Sequence, residues 1–351
     1  MAHKRMTMQQ LADACGLSRN TVSKVFNDRG AVPETTRQLV MQKAKELGYY
    51  QGFDEGPAKE EPRRVQTVSL LTRRIPKDTH FGTFFLPAFA ERLSRSGYTL
   101  MMYEITSKEL SEGTLPSHMS LEQTAGIAMI ELFDQKYLDM LCTLGLPCVS
   151  VDANARRYLS PMNCDFISME SISSSVTLTR RVIAEGARKL GFVGDPEHCG
   201  SFYQRWMGFC VALEEAGFTL NKSLCILDPD SPDYSSEDWL LDRIQHMPDR
   251  PDALICANDF LALHVMAALK KLGRSVPTDT MVTGFDGTPQ SAVVEPSLTT
   301  VQIPNADIGR MAADMLLDRI ESPDRPFRSV FVNTTPVWRK SSIWKERGQV
   351  R

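Results

Sequence analysis

Apolar stretches long enough to cross a membrane are missing from this 351-residue sequence. No apolar run approaches the roughly 18 residues that a membrane-spanning helix needs. Residues 1–15 also lack the apolar core of a secretory signal. We therefore expect a protein that contacts no membrane and works in the cytoplasm.

Cysteines at metal-binding or redox-active spacing are missing too. The eight cysteines include no Cys-x-x-Cys motif, and most stand in apolar surroundings, as buried reduced thiols do. They are Cys15, Cys142, Cys148, Cys164, Cys199, Cys210, Cys225 and Cys256. Glu197, His198 and Cys199 are adjacent metal-binding residue types, but adjacent side chains point in divergent directions. We interpret them as a loop and expect no metal.

Motifs of the common enzyme classes are absent as well. No G-x-G-x-x-G follows the first strand-like segment, and neither G-x-x-x-x-G-K-[ST] nor G-x-S-x-G occurs. We expect a protein that is not an enzyme and that carries no cofactor.

Charge is distributed unevenly along the chain. Residues 1–50 hold eight Lys/Arg and four Asp/Glu, a balance of +4, whereas the remaining 301 residues hold 32 and 39, a balance of −7. A basic head suits contact with DNA phosphates, and an acidic body stays off the duplex.

Residues 6–28, MTMQQLADACGLSRNTVSKVFND, have the pattern of two short helices joined by a tight turn. Thr7 is placed to cap the first helix, Gly16 to make the turn, and Ser18 to cap the second. The exposed face of the second helix carries Arg19, Asn20, Ser23 and Lys24. Arg and Lys match guanine in the major groove, and Asn matches adenine. The alternative is a small amphipathic hairpin with a solvated polar face.

A third helix and a linker follow. VPETTRQLVMQKAKELG predicts a helix whose core stripe is Leu39, Val40, Ala44 and Leu47. Residues 51–64, rich in Gly, Pro and acidic side chains, have the composition of a linker. The predicted division is therefore a helix-turn-helix domain over 1–50, a linker or hinge over 51–64, and a larger domain over 65–351.

From residue 65 onward, strand-like runs alternate with helical patterns, which predicts parallel sheets with helices on both faces. The predicted strands cover 65–72, 99–105, 126–132, 147–153, 189–195, 252–259 and 280–287. The predicted helices cover 84–98, 176–191, 203–218, 260–273 and 307–320, and 297–304 is predicted to be an extended crossover. This length favours two α/β lobes with a ligand beyond the carboxyl ends of the strands.

The sequence resembles the lactose-repressor family of bacterial transcription regulators along nearly its whole length. LADACGLSRNTVSKVFND is similar to the family's DNA-binding headpiece, and its Thr-Val-Ser core is especially typical. Residues 201–218, 257–288 and 295–304 resemble the family's ligand-binding body. The resemblance implies an α+β multi-domain fold, with a three-helix headpiece followed by a two-lobed α/β domain like a periplasmic binding protein.

The resemblance also implies roles for headpiece residues. Arg19, Asn20 and Lys24 would read bases, whereas a second set would contact or position phosphates: Thr7, Ser18, Thr21, Ser23 and Asn27. Helix capping and solvation are the alternative roles of that second set, and for Ser18 and Thr21 both roles can hold at once.

In the body, the resemblance implies an effector site formed by Thr72, His80, Phe81, Asp152, Arg205, Asp259 and Phe285. Arg205 would clamp the ligand, Asp259 would bind it, and Phe285 would form an aromatic wall. The alternatives are a surface arginine for Arg205 and a helix N-cap for Asp259. The loop at His80 departs from the family pattern, so His80 either marks a different ligand or is merely exposed.

The hinge is the largest departure. Where the family carries Arg-Pro-Asn and a short helix with a DNA-wedging leucine, this chain has Tyr50-Gln51-Gly52 and then Gly56-Pro57-Ala58. Gly and Pro disfavour a helix. Whether a hinge helix forms elsewhere in 51–64, forms weakly or is absent stays open.

The expected function is a homodimeric, repressing regulator that binds a near-palindromic double-stranded operator and responds to a sugar-like effector. The alternative is a cytoplasmic sensor whose DNA contact is non-specific or activating. A transport-type binding protein would need export, and a structural DNA protein would not need a ligand cleft.

Overall fold

A computed structural model describes residues 7–26, 32–47, 66–74, 82–156 and 162–343. The chain divides into two compact units, Met1–Arg64 and Val65–Arg351, here called the head and the body. No helix in the described ranges is long and apolar enough to cross a membrane. Residues 51–64, the predicted linker, lie outside the described residues.

The described residues of the head form three helices. They are α1 (Met8–Cys15), α2 (Arg19–Phe26) and α3 (Glu34–Glu46). Thr7 and Gln10 form a reciprocal capping box at the start of α1. Gly16 ends α1 with φ +64°, a left-handed conformation that glycine adopts without steric cost. Ser18 Oγ accepts a hydrogen bond from Thr21 N at 3.1 Å, so it caps α2.

The core of the head brings apolar residues of the three helices together. Its fully enclosed members are Leu11, Ala12, Val22, Val25, Val40 and Ala44. Two members of the predicted α3 stripe do not belong to this core: Leu39 is 43% exposed and Leu47 is 39% exposed. With only two short partner helices, the head covers one narrow stripe of α3, and Leu39 and Leu47 lie outside it.

The body alternates strands and helices. Its first part contains β1 (Gln66–Thr72), α4 (Gly82–Arg95), β2 (Tyr98–Glu104), α5 (Ser107–Glu112), β3 (Thr124–Ile130), α6 (Gln135–Cys142), β4 (Cys148–Val151) and β5 (Asp165–Met169). The remainder contains α7 (Ile172–Ala184), β6 (Leu190–Val193), α8 (Gly200–Glu215), α9 (Glu237–Gln245), β7 (Ala253–Cys256), α10 (Asp259–Lys271), β8 (Met281–Thr283), α11 (Pro289–Val293), β9 (Thr300–Gln302), α12 (Asn305–Glu321), β10 (Ser329–Val332) and β11 (Thr335–Val337).

The first lobe is built on a six-stranded sheet in the order β10-β5-β4-β3-β1-β2, with every neighbouring pair parallel. Successive residues of its strands supply opposite faces. Leu70 packs with Phe85 and Phe89 of α4, whereas Leu71 packs with Tyr137 and Leu138 of α6. Helices therefore cover both faces of the sheet, as the sequence predicts.

The second lobe contains a three-stranded parallel sheet in the order β6-β7-β8, and β9 pairs antiparallel with β11. One large apolar cluster fills this lobe, with Phe192 and Phe209 at its centre. Helix α7 packs tightly on α8 at Gly208, where an added Cβ would lie 2.5 Å from the carbonyl oxygen of Ile172. The chain crosses between the lobes after β5, β9 and β10.

The structure differs from the predicted elements mainly where an element is short or where a strand is buried on both faces. Helices α5, α6, α9 and α11 and strands β5, β10 and β11 are not among the predicted elements. Helix α7 ends at Ala184, seven residues before the predicted end, because the turn at Gly186 has φ +109°. Strand β5 is buried at all five positions and therefore lacks the alternation that identifies a half-exposed strand.

A buried charge cluster fixes the turn between α12 and β10. Asp165 is fully buried, and its carboxylate accepts bonds from Arg319 Nε and Nη2, each at 3.1 Å. Arg328 Nη2 adds a contact at 3.2 Å. Arg319 Nη1 also donates to the carbonyl of Pro323 at 3.0 Å. Burial would raise the pKa of Asp165, but the hydrogen bonds from Arg319 and Arg328 outweigh it and hold that pKa below its usual range.

We expect Asp165→Asn to lower the free energy of unfolding of the body by about 3–5 kcal/mol, because it leaves Arg319 buried without its carboxylate. Urea denaturation followed by tryptophan fluorescence measures this. The matched control is Glu91→Gln, which breaks the exposed ion pair with Arg95 and is expected to cost less than about 1 kcal/mol. Equal losses in the two variants would contradict the assignment.

The same cluster predicts a pH effect. The folded pKa of Asp165 lies below its unfolded value, so its stabilisation is present above about pH 4 and is lost as pH falls further. The difference in unfolding free energy between the wild type and Asp165→Asn should therefore shrink below about pH 4.

Candidate functional site

The second helix of the head presents a polar surface. Ser18, Arg19, Asn20 and Lys24 are exposed. Thr21 and Ser23 are half-buried, and Thr21 Oγ1 lies 2.8 Å from Ser18 Oγ. The predicted base-reading residues therefore all lie on the exposed surface of α2, with Arg19 and Asn20 in its first turn and Lys24 in its last. Ser18 and Thr21 are occupied in shaping the first turn. Asn27 lies outside the described residues.

The body encloses a cavity of about 620 Å³ at the carboxyl ends of both parallel sheets. This is the position at which parallel α/β folds bind ligands. The polar residues that line it are Arg73, Arg74, Glu131, Asp134, Asp152, His198, Cys199, Ser201, Arg205, Asp230, Ser231, Tyr234, Asn258 and Asp286. The apolar lining includes Phe133, Phe202 and Phe260. The volume lies within the usual range of small-molecule sites.

Arg205 lines the cavity and is only 3% exposed. Its Nη1 donates to the carbonyl of Ala257 at 2.6 Å and lies 3.4 Å from Asp286 Oδ1. Its guanidinium carbon lies 3.9 Å from the ring centroid of Phe285. The Nε atom is buried and has no hydrogen-bond partner among the described residues. The guanidinium is thus held in one orientation, with donor capacity that the protein itself does not use.

Asp152 follows β4 in the first lobe, and its carboxylate reaches the second lobe. Its Oδ1 accepts from Ala153 N at 2.8 Å, and its Oδ2 lies 3.4 Å from Ser201 N, in the first turn of α8. A carboxylate at this position interacts favourably with the positive end of the helix dipole. Asp152 lines the cavity, as the sequence predicts for a ligand-facing residue.

Three cavity carboxylates stand on left-handed backbone. Glu131, Asp152 and Asp286 have φ +50°, +59° and +126°, and they are the only non-glycine residues with positive φ within the described ranges. They follow β3, β4 and β8. Such conformations are costly and persist where the surrounding structure enforces them, often at ligand sites. The backbone is therefore bent so that three carboxylates reach one cavity.

Burial changes the proton affinity of two of these carboxyl groups. Burial raises the pKa of Asp286 to about 7, although Arg205 acts in the opposite direction. Burial also raises the pKa of Glu131, opposed by His198 and Arg74. Near neutral pH, Asp286 therefore exchanges between an ionised and a protonated form.

The structure gives Asp259 a different place from the predicted one. It is fully buried and does not line the described cavity. Its Oδ2 accepts from Thr288 N at 2.8 Å and from Thr288 Oγ1 at 2.9 Å, and its Oδ1 accepts from Thr300. It is not the N-cap of α10 either, because Asn258 Oδ1 accepts from Leu261 N at 2.9 Å. Asp259 fixes the loop after β8, and its neighbour Asn258 lines the cavity.

Phe285 and Thr72 also lie behind the cavity surface. Phe285 is 1% exposed and supports the guanidinium of Arg205 from beneath, so it does not form a wall of the described cavity. Thr72 is fully buried and donates from Oγ1 to the carbonyl of Arg74 at 2.8 Å. His80 and Phe81 lie outside the described residues.

The interpretation of 197–199 as a mere loop is incomplete. His198 lines the cavity, and its ring lies 4.9 Å from that of Phe202 and 5.3 Å from that of Phe133. Its Nδ1 lies 3.3 Å from Asp230 Oδ2, and this hydrogen bond lowers the pKa of Asp230. The sequence does contain a signal for this role, since His198 follows a predicted strand and precedes Arg205 by only seven residues.

The cavity combines hydrogen-bonding groups with aromatic surface. Among the described residues, five carboxylates, three guanidiniums and one imidazole line it. The described residues contain no group of His, Cys, Asp and Glu side chains arranged to hold a metal ion. The site can therefore accept and donate many hydrogen bonds while an apolar ligand face packs against Phe202 or Phe260.

Two family models match the chain. Residues 7–51 match bacterial regulatory proteins of the lacI family, and residues 179–342 match a periplasmic binding protein-like domain. The first match contains α1 to α3, and the second contains most of the second lobe.

Curated relatives match over nearly the whole length. The chain is 27% identical over 338 residues to the HTH-type transcriptional repressor PurR of Photobacterium profundum, covering 95% of this chain and 98% of that protein. It is 26% identical over 323 residues to the HTH-type transcriptional regulator CelR of Thermobifida fusca, covering 90% and 92%.

Solved structures of this kind of regulator also match the chain over nearly its whole length. A transcriptional regulator CelR–cellobiose complex superposes with a TM-score of 0.67 at 26% identity, covering 96% of this chain and all of that one. The lac repressor dimer bound to operator shares the fold with a TM-score of 0.67 at 21% identity, covering 97% of this chain and 100% of that one. From head to body, this chain belongs to the lacI family of bacterial regulatory proteins and is a DNA-binding transcription regulator.

Proposed function

We propose that this protein is a cytoplasmic, non-catalytic repressor that binds its operator through α2 and binds a neutral, hydroxyl-rich ligand of the carbohydrate class in the body cavity. The observation that carries the ligand proposal is the state of Arg205. A buried guanidinium, fixed by Ala257, Asp286 and Phe285 with unused donor capacity, suits a ligand oxygen.

Charge favours a neutral ligand over an anion. The five lining carboxylates are Glu131, Asp134, Asp152, Asp230 and Asp286, against three lining arginines. A phosphate or carboxylate ligand would meet an excess of negative charge. Carboxylates accept hydrogen bonds from hydroxyl groups, and phenylalanine rings cover the apolar faces of sugar rings. The cellobiose complex of the related CelR supports the same class.

The DNA proposal rests on the exposed surface of α2. Arg19, Asn20 and Lys24 present donors in a short helix whose opposite face is fixed by Val22 and Val25. Arg and Lys pair with guanine acceptors, and Asn pairs with adenine. We assign base reading to these three residues and phosphate positioning to Thr7, Ser18, Thr21 and Ser23.

We also propose a homodimer on a near-palindromic operator. Large apolar side chains of the first lobe are exposed, among them Phe84 on α4 (53%) and Met101 on β2 (45%). Because both sheets contribute to the cavity, a ligand there changes how the two lobes close, and a dimer contact through the first lobe would transmit that change to the heads. The alternative function is a sensor with non-specific or activating DNA contact.

Arg19→Ala is expected to weaken binding to a duplex that the protein selects from a random pool by about 5- to 150-fold, because one base contact is lost. Binding to a scrambled duplex should change far less. Fluorescence anisotropy at several salt concentrations measures both. Lys43→Ala is the control, since Lys43 lies on α3 and pairs with Glu46 of the same helix. A similar loss in that variant would argue against base reading by Arg19.

Arg205→Ala is expected to abolish the increase in melting temperature that a neutral sugar produces, because the binding free energy of the sugar falls by about 2–5 kcal/mol. Operator binding should persist. Cellobiose and a panel of neutral mono- and disaccharides serve as ligands. Arg92→Ala, which removes a half-buried arginine paired with Asp314, should keep the wild-type response to the sugar. An unaltered response of Arg205→Ala would exclude the assigned cavity contact.

Sugar affinity should rise with pH. In this proposal the ionised Asp286 accepts hydrogen bonds from sugar hydroxyls, so protonation of Asp286 competes with sugar binding. Because its pKa is about 7, the apparent Kd should be about tenfold larger at pH 6 than at pH 8. Asp286→Asn removes the titrating group, so its Kd should be flat over that range. Isothermal calorimetry of the two proteins measures the slope, and a flat wild-type profile would contradict this role.

A further inference from the structure

Three cysteines meet at the amino-terminal edge of the first-lobe sheet, the edge opposite the cavity. Cys142 is the last residue of α6, Cys148 is the first residue of β4, and Cys164 directly precedes β5. All three belong to one cluster, in which Cys148 and Cys164 are buried and Cys142 is half-buried.

The backbone brings these thiols together. Strands β4 and β5 are parallel neighbours with Val149 opposite Asp165, so Cys148 and Cys164 stand one residue earlier at the same register. The Sγ of Cys148 lies 4.0 Å from the carbonyl oxygen of Leu141, the residue before Cys142. The thiol of Cys164 hydrogen-bonds the sulfur of Cys142. The register of β4 and β5 sets Cys164 beside Cys148, and the packing of α6 brings Cys142 to the same place. The hydrogen bond then joins Cys142 to Cys164 rather than to Cys148.

We propose that Cys142 and Cys164 form a peroxide-sensitive dithiol that closes reversibly into an intramolecular disulfide. The Cys142 thiolate attacks one oxygen of hydrogen peroxide, and the O–O bond breaks to give a sulfenic acid and hydroxide. The Cys164 sulfur then attacks the Cys142 sulfur, and the hydroxyl leaves as water with the Cys164 proton. Two thiols and one peroxide give one disulfide and two waters, and a dithiol reductant restores both thiols.

The three thiols differ in acidity and in accessibility, as these two steps require. The hydrogen bond from Cys164 lowers the pKa of Cys142, although burial opposes it, whereas burial raises the pKa of Cys148. Cys148 also donates to the carbonyl of Leu146 at 3.2 Å. Cys142 is therefore both the most accessible and the most acidic of the three, and Cys164 is the thiol in contact with it.

Two other half-buried cysteines provide internal controls. Cys15 in the head and Cys210 in α8 have accessibility similar to Cys142. Burial raises the pKa of Cys15, and it raises the pKa of Cys210 to about 11. Exposure alone would oxidise all three at similar rates, whereas a specific dithiol oxidises at Cys142 first.

The test treats the reduced full-length protein with hydrogen peroxide, alkylates the remaining thiols, and maps the peptides by mass spectrometry without reduction. We expect one cross-linked pair, Cys142 with Cys164, that dithiothreitol reverses, and Cys142 consumption about tenfold faster than that of Cys15 or Cys210. In Cys164→Ser, which lacks the second thiol, dimedone should trap the Cys142 sulfenic acid. Cys225→Ser, a buried second-lobe cysteine, should leave the cross-link unchanged.

A cross-link to Cys148 would overturn the pairing. Equal oxidation of Cys142, Cys15 and Cys210, or a native protein in which Cys142 stays alkylatable after peroxide, would overturn the dithiol itself. The central measurement uses the wild-type chain, so it stands even where a variant fails to fold.

Discussion

The guanidinium of Arg205 connects three separate parts of the second lobe. It extends from α8, donates to the end of β7 at Ala257, pairs with Asp286 after β8, and rests on Phe285. A buried charge is tolerated only with partners, and a buried donor without a partner carries a free-energy cost. The segments after β7 and β8 are therefore held together by this one side chain, whose Nε has no hydrogen-bond partner among the described residues.

Backbone strain is the second constraint, and it has the same location. Glu131, Asp152 and Asp286 adopt left-handed backbone although none is glycine. Glu131 and Asp152 directly follow β3 and β4, and Asp286 follows the end of β8 by three residues. An extended strand continuing past its end would send the next side chain to one face or the other of the sheet. The left-handed turn redirects it into the space beyond the strand ends. The strained backbone at these three residues thereby brings their carboxylates together.

The sequence predicts the head and the layered α/β body well, because caps, turns and apolar periodicity are local signals. Thr7, Gly16 and Ser18 stand at helix ends that their own chemistry specifies. The candidate site is harder, because two adjacent residues can exchange roles without changing the pattern. Asn258 and Asp259 both suit a helix start and both suit a ligand, and only the position of Thr288 and Thr300 shows which one is buried. Phe285 poses the same problem, since a ring beneath an arginine and a ring facing a ligand are alike in sequence.

Asp152 and its neighbour connect the first lobe to α8 of the second lobe. Its carboxylate holds the first turn of α8, and the carbonyl of the next residue, Ala153, accepts from Gly200 N at 2.7 Å. Two hydrogen bonds thus join the lobes directly at the floor of the cavity. Separation of the lobes breaks these bonds, so they add to the barrier that a ligand between the lobes must cross to enter or leave. Residence time then depends in part on a contact that the protein makes with itself, and two ligands of equal affinity can differ in how long each keeps the regulator in its bound state.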